Sequence, residues 1–161
     1  MSKVSVLDVA KYILEKQNGM TTMKLQKLAY YSHAWHLAWT DEPLIAESFR
    51  AWRNGPVCWE LFDVHRGWLR IDATEFPRGD SASLSSDQKA SVDAVLAAYG
   101  GLSGGQLSEL THLEHPWKNV RALGIGDANA NDVIGNEVLK DFFRTQMAQG
   151  VEIEKVHWLK S

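Results

Sequence analysis

The sequence predicts a mostly α-helical α+β domain with a central buried helix and a small β element. Three observations predict this class. Apolar residues recur at helical spacing in several segments, the segment near residues 22–39 is apolar or aromatic around most of its circumference, and β-favouring residues are clearest at 44–53. A chain of 161 residues that is 45% hydrophobic suits one core, so we expect a single domain over residues 1–161.

The first two helices begin at recognisable capping residues. Ser5 and Asp8 resemble a capping box before a helical run that ends at Asn18-Gly19. Thr21 or Thr22 can cap the next helix, whose polar side chains form one narrow stripe. The stripe consists of Thr22, Gln26, His33, His36 and Thr40. A helix that is apolar over most of its remaining circumference is normally central, so we predict that this is the core helix.

The segment AWRNGPVCWEL places Trp52 and Trp59 on either side of a tight corner. Asn54-Gly55 is a turn signal, and Pro56 suits the first position of a helix, which we predict to run from Pro56 to about Trp68. The corner is then a scaffold that turns a short strand back into a helix beside the core helix. In this interpretation Trp52 packs inward, and Trp59 is the better candidate for exposure.

The rest of the chain is predicted to form helices that loops separate. Ser103 and Gln106 form a further capping box, which opens a helix that Pro116 divides into two. The other segments are a strand fragment and exposed loop at 71–85, a helix within 86–101, a loop at 124–132, a last helix at 135–148 and a strand-like tail at 151–161.

Composition and charge narrow the classes of protein that the chain can be. The formal net charge of −3 argues against a dedicated nucleic-acid binder, and the basic candidates Lys24, Lys27, Arg66 and Arg70 are few. A single cysteine, Cys58, excludes an intrachain disulfide and favours a reducing compartment. No run approaches the roughly 20 apolar residues of a membrane span, so we expect a cytoplasmic protein.

Two groups of residues could in principle form a catalytic or metal-binding site, and both have a structural interpretation. His33 and His36 lie three apart, as do His112 and His115, and four imidazoles on facing helices could bind zinc, as in a zinc-dependent hydrolase. Their spacing does not match HExxH, so polar positions on helices are the favoured interpretation. On one predicted helix, His65 would lie about 10 Å along the axis from Cys58, too far to activate the thiol. We therefore expect no enzyme, no metal and no cofactor.

Three stretches together resemble the Panacea, or SocA-like, antitoxin domain family. The first is MTTMKLQKLAYYSHAWHLAWTDEPLIAESFRAWRNGPV, the second is LTHLEHPW, and the third is VIGNEVLKDFF. The most specific part is an ordered set in the first stretch, comprising Lys24, Leu25, Gln26, Lys27, Tyr30, Tyr31, Trp35, His36, Trp52, Gly55 and Pro56. The resemblance covers about residues 6 to 145. His33 stands where the family usually has glutamine, and Trp59 occupies a position that is often proline.

The resemblance implies an antitoxin that neutralises a cognate toxin through direct protein contact. Family members are bacterial and phage-borne, and their toxins are encoded by adjacent genes. One branch delivers its toxin to the ClpXP protease, so sequestration and proteolytic delivery both stay open. The alternative from the residues is a DNA-binding transcriptional regulator of a phage or mobile element. The family supplies no catalytic residue to transfer.

Candidate site residues follow from separating the shared motif from the variable surface. The motif residues are interpreted as framework: Lys24, Leu25, Gln26, Tyr31, Trp35, Trp52, Gly55, Pro56, His112, Pro116 and Trp117. A framework shared by antitoxins of unrelated toxins cannot specify one toxin, so discrimination is expected on other surface. The expected partner-binding residues are Lys27, His36, Trp59, Trp68, Phe76 and Trp158.

Overall fold

The chain folds around one helix that is buried on every side. The computed structural model describes residues 4–123 and 132–148. After α1 (Val6–Lys16) and the short strand β1 (Met20–Thr21), helix α2 (Thr22–Thr40) crosses the centre, and every residue from Leu25 to Ala38 is buried. The Thr21 side chain accepts a hydrogen bond from the Lys24 backbone N–H at 3.1 Å and so caps α2. The predicted core helix is confirmed.

Two strands follow α2 and form an antiparallel hairpin. Strand β2 (Phe49–Trp52) pairs with β3 (Gly55–Cys58), with Trp52 opposite Gly55 and Ala51 opposite Pro56. Helix α3 (Trp59–His65) then begins, so the prediction that Pro56 starts a helix reaching Trp68 is wrong. The reason is that residues 55–58 pair with β2 in a tight hairpin, and β3 is an edge strand, where a proline without an N–H is tolerated.

Helices from the second half of the chain surround α2. After β4 (Arg70–Ile71) and a 3₁₀ turn (Ser81–Ser83), the helices are α4 (Ser86–Tyr99), α5 (Gly104–Leu113), α6 (His115–Leu123) and, beyond strand β5 (Val133–Ile134), α7 (Asn136–Ala148). The capping box predicted at Ser103 and Gln106 is confirmed, as is the break before Pro116. Helices α1, α4, α5 and α7 all pack on α2. The predicted fold class, mostly helical α+β with a central buried helix, is confirmed.

Two small sheets join parts of the chain that are distant in sequence. One has the strand order β3-β2-β5, with Phe49 opposite Ile134, and the other pairs β1 with β4. Neither β1 nor β5 was predicted, because a two-residue strand shows no alternation. The segment at 71–85 was expected to be exposed, yet Phe76 is buried and Lys11 Nζ donates to its backbone carbonyl at 2.8 Å. The predicted strand at 151–161 lies outside the described residues.

None of the described helices is long and apolar enough to cross a membrane.

Candidate protein-binding site

An aromatic cluster consisting of Trp52, Trp59, Phe62 and Arg66 lies where the hairpin meets α3. The ring centroids are 5.1 Å apart for Trp52 and Phe62 and 5.5 Å apart for Trp59 and Phe62. The Arg66 guanidinium lies over the Trp59 ring, 5.1 Å from its centroid. Trp59 and Phe62 lie three apart on one face of α3, and Arg66 is the residue that directly follows this helix. Trp59 is 39% exposed, so the cluster presents a large aromatic surface to solvent.

Two further apolar side chains are exposed directly after α3. Trp68 is 45% exposed and Leu69 is 80% exposed. Their backbone is nevertheless fixed to the start of α2, because the Thr22 hydroxyl donates to the Trp68 carbonyl at 3.1 Å and the Thr22 N–H donates to the Leu69 carbonyl at 3.0 Å. Exposed aromatic side chains on a fixed backbone are suited to anchoring a partner, since little conformational entropy is lost on binding.

A pocket of about 220 Å³ opens between the first turns of α2, the hairpin turn and α3. We call it the corner pocket. Its walls combine apolar and hydrogen-bonding side chains, namely Thr22, Met23, Gln26, Lys27, Trp52, Arg53, Asn54, Val57, Phe62 and His65. The set contains a lysine and an arginine but no aspartate or glutamate. The pocket shares Trp52 and Phe62 with the aromatic cluster. Its lining offers no carboxylate to balance the two basic side chains.

Lys27 lies under the hairpin turn and is only 1% exposed. Its Nζ donates to the Pro56 carbonyl at 3.1 Å, and no carboxylate pairs with it in the described part of the chain. Burial lowers its pKa to about 7. A buried lysine without a counter-ion is costly to stability.

Gln26 ties the central helix to the end of β3 and to α3. Its Oε1 accepts from the Cys58 N–H at 2.9 Å, and its Nε2 donates to the Cys58 carbonyl at 3.2 Å. The same Nε2 lies 3.0 Å from His65 Nε2. Because an amide nitrogen only donates, His65 accepts here as a neutral imidazole. Burial lowers the pKa of His65, which agrees with this assignment.

Cys58 is completely buried at the N-terminus of α3. Its thiol lies 3.4 Å from a Glu60 carboxylate oxygen, and burial raises its pKa to about 12. A thiol in this setting is protonated at neutral pH and a poor nucleophile. His65 contacts Gln26 rather than the thiol, so the two residues form no nucleophile–base pair.

Helices α5 and α6 hold the hairpin in place. The Trp117 indole N–H donates to the Trp52 carbonyl at 2.7 Å, and the Ser108 hydroxyl donates to the Asn54 carbonyl at 2.6 Å. Trp117 also stacks on His112, with ring centroids 4.0 Å apart. These contacts explain why the segment LTHLEHPW, although distant in sequence, belongs to the same region as the corner.

A second polar group lies one helical turn further along α2, since Tyr31 follows Lys27 by four residues. The Tyr31 hydroxyl donates to a Glu114 carboxylate oxygen at 2.7 Å, and the Tyr31 ring stacks on Tyr99 with centroids 4.3 Å apart. Burial of the carboxyl group raises the pKa of Glu114 to about 8. In the sequence Glu114 stands out only as a neighbour of two histidines, because nothing there indicates that its carboxyl group faces the core.

The four histidines weighed for zinc do not converge. His33 Nε2 donates to Asn136 Oδ1 at 2.9 Å, and His36 Nδ1 lies 2.7 Å from Ser91 Oγ. His112 stacks on Trp117, and His115 is exposed at the start of α6. Among the described residues no three metal-ligating side chains are grouped.

The structure divides the expected partner-binding residues into two sets. Trp59 and Trp68 are exposed, whereas Lys27, His36 and Phe76 are buried, with exposures of 1%, 4% and 2%. The expectation that these three lie on the surface is wrong: the first two belong to the central helix, and Phe76 is buried in the core. Trp158 lies outside the described residues. Phe62, Arg66 and Arg53, which lie at the aromatic cluster or the corner pocket, were not among the expected partner-binding residues, although the spacing of Trp59 and Phe62 gave a signal.

Comparison with known proteins places the chain in a family of antitoxins. Residues 25–118 match the family described as "Antitoxin SocA-like, Panacea domain", and the chain belongs to this family. It is also similar to the protein named "Antitoxin SocA" from Caulobacter vibrioides (strain NA1000 / CB15N), with 28% identity in an alignment 154 residues long that covers 86% of this chain and 81% of the relative. No solved structure matches. The resemblance predicted from the motifs is thus confirmed, and it points to a non-catalytic regulatory role.

Proposed function

We propose that this protein is an antitoxin that neutralises a cognate toxin by binding it directly. Membership in the antitoxin family supports the class of function. The observation that carries the binding mode is the exposed aromatic cluster with Arg66 stacked on Trp59. Tryptophan and arginine are the residue types that most often dominate the binding free energy of protein interfaces.

The first experiment tests neutralisation in cells. The toxin candidate is the product of the gene adjacent to that of the antitoxin, and it is expressed from an inducible promoter with and without this chain. We expect growth arrest without the chain and rescue with it. Failure of every neighbouring gene product to arrest growth, or arrest that this chain does not relieve, would contradict the proposal.

The second experiment tests the surface with matched variants. Trp59→Ala and Trp68→Ala remove exposed rings, so the fold should be retained, whereas rescue and co-purification of the toxin should be lost or strongly weakened. Val138→Ala is the control, because Val138 is 38% exposed on α7, outside the aromatic cluster. Rescue by both tryptophan variants at the wild-type level would place the interface elsewhere.

Direct binding neutralises a toxin either by sequestration or by delivery to a ClpXP-type protease. The two routes differ in the lifetime of the toxin. We propose sequestration, because the exposed cluster supports a stable contact and needs no further component. The half-life of the toxin after synthesis is stopped should then be the same or longer with the antitoxin present. A half-life that shortens with the antitoxin and recovers when the protease is deleted would establish delivery instead.

A further inference from the structure

We propose that the corner pocket binds a segment of the partner protein in which one apolar or aromatic side chain is flanked by carboxylates. This inference rests on the proposed function for the nature of the partner, and it adds the place and chemistry of recognition. It follows from three features of the pocket: its apolar walls, its unpaired cations and an unpaired indole N–H.

The apolar walls fit one side chain of the partner. Met23, Val57, Phe62 and the ring of Trp52 line a volume of about 220 Å³. A cavity of about 150 Å³ is enough to hold benzene, so an aromatic or large aliphatic side chain fits here. Anchors of this kind bind in desolvated pockets near the centre of an interface.

Positive charge around the pocket is not neutralised within the described part of the chain. The four ion pairs of the described residues involve Arg66, Lys140 and Arg144. None of them includes Lys24, Arg53 or Arg70. Arg53 lines the pocket, and Arg70 is paired across the β1–β4 sheet with Thr21, next to the pocket-lining Thr22. Burial and the neighbouring Arg70 lower the pKa of Lys24. Such cations attract a carboxylate-bearing segment.

The nearest carboxylates on α3 do not compensate these cations. Asp63 is held by Arg66 at 3.0 Å, and Glu60 lies 3.4 Å from the Cys58 thiol. Neither lines the pocket. In the described part of the chain no ion pair balances Arg53 or Arg70, which leaves both available to carboxylates of a partner.

An unpaired donor also lies at the pocket wall. The Trp52 indole Nε1 is buried and has no hydrogen-bond partner in the described structure, while its ring lines the pocket. An unpaired buried donor is unfavourable, so a rotation of the half-buried ring that brings this N–H to a carboxylate or backbone carbonyl of the partner would be favoured. The pocket thus combines positive charge with a lining residue whose donor lacks an acceptor.

A protein segment suits this site better than a nucleic acid. Nucleic-acid binding commonly neutralises roughly 6–10 phosphates, whereas the exposed cations at and beside this pocket are Arg53 and Arg70, and the Lys24 amine already donates to the Gly100 carbonyl at 2.7 Å. Glu60 and Asp63 border the aromatic cluster, and the whole chain carries a net charge of −3. A polyphosphate would meet repulsion on that side, while a short acidic peptide would not extend to it.

The test uses the ¹⁵N-labelled full-length protein and defined peptides. The probe is a blocked pentapeptide with phenylalanine flanked by two glutamates on each side. Two matched peptides replace the glutamates with lysines or the phenylalanine with glycine. Assignment of the Trp52 indole signal comes from a Trp52→Phe variant. We expect the acidic phenylalanine peptide to shift the Trp52 indole signal and the backbone amides of Met23, Asn54 and Phe62, and the other two to shift them weakly or not at all.

Charge variants test the electrostatic part. Arg53→Glu should weaken binding of the acidic peptide roughly tenfold, and Arg53→Gln should weaken it less. Arg78→Glu is the matched control, since Arg78 is an exposed arginine in the loop before the 3₁₀ turn, and it should leave binding unchanged. Both substituted side chains are exposed, so circular dichroism should show an intact fold.

Four outcomes would overturn the inference: no shift with the acidic peptide, equal shifts with the lysine peptide, shifts on another surface, or stronger shifts at the same amides with a thymidine oligonucleotide. If the acidic peptide does not bind but the protein still rescues toxin-expressing cells, the site is overturned and the antitoxin function stands. Peptide binding by a protein that rescues cells from no neighbouring toxin would leave the site standing but overturn the antitoxin function.

Discussion

Gly55 and Lys27 occupy adjoining space: a Cβ placed on Gly55 would lie 2.6 Å from Lys27 Cε. It would also lie 2.8 Å from Thr111 Oγ1. Gly55 has a φ of +112°, a conformation that L side chains rarely adopt. The hairpin turn can therefore close over the buried lysine only because this position has no side chain.

The first prediction concerns this close approach. Gly55→Ala should destabilise the fold by about 1–3 kcal/mol, because it adds a steric clash to backbone strain. Gly67→Ala is the control, since Gly67 has a φ of +86° but nothing within 4 Å of an added Cβ. Chemical denaturation should show a larger loss for Gly55→Ala than for Gly67→Ala. Equal losses would mean that the space beside Lys27 is not limiting.

The second prediction is a pH dependence from Lys27. Burial lowers its pKa from 10.5 to about 7, so the unfolded chain binds more protons between these values. The free energy of unfolding should then rise with pH from about 7 to 10.5, by up to about 1.4 kcal/mol per pH unit from this group. Lys27→Met keeps the length of the side chain and removes the charge. Denaturation at several pH values should show that the variant lacks this rise, and an unchanged slope would contradict the assignment.

The third prediction has the opposite sign and a lower pH range. Burial raises the pKa of Glu114 from 4.5 to about 8, so the folded chain binds more protons in this range. The contribution of Glu114 to stability should fall as the pH rises from 4.5 to about 8. Glu114→Gln can still accept the Tyr31 hydrogen bond and should lose this dependence. A variant that is strongly destabilised at pH 5 would show instead that the acid itself is required.

The fourth prediction separates core from surface aromatic residues. Phe76→Ala should cost about 3–5 kcal/mol, because Phe76 is 2% exposed and packs in the core. Trp68→Ala should cost much less, because the Trp68 ring is largely exposed. Thermal unfolding of both variants checks the contrast. A Phe76→Ala protein as stable as the wild type would restore Phe76 as a candidate surface residue.

Local signals predicted most of the helices correctly. Each capping box, at Ser5 and at Ser103, is formed by residues that lie within four positions of one another. Pro116 stands in the first turn of α6 and prevents α5 from continuing through it, whatever the rest of the chain does. The central helix was predictable because apolar residues occupy nearly its whole circumference. In each case the information lies inside the element itself.

The sequence did not predict features that depend on how one segment pairs with or packs on another. The sequence at Asn54-Gly55-Pro56 suits both a helix start and a hairpin, and the pairing of Ala51 with Pro56 decides between them. Lys27 looked like a surface lysine, because only the hairpin laid over it and the absence of a nearby acid make it buried and unpaired. The aromatic cluster was half predicted: Trp59 stood out by its size, whereas Phe62 and Arg66 required α3 and the residue after it to be considered as a whole.

The pairing of Phe49 with Ile134 determines when the molecule can finish folding during synthesis. The third strand of the sheet and helix α7, which places Phe143 against Trp35 with ring centroids 4.9 Å apart, are among the last described parts to leave the ribosome. Until they arrive, one side of α2 has nothing to cover it. Until α7 has been made, we therefore expect a nascent chain of this protein to expose aromatic side chains of α2 such as Trp35 to chaperones and proteases.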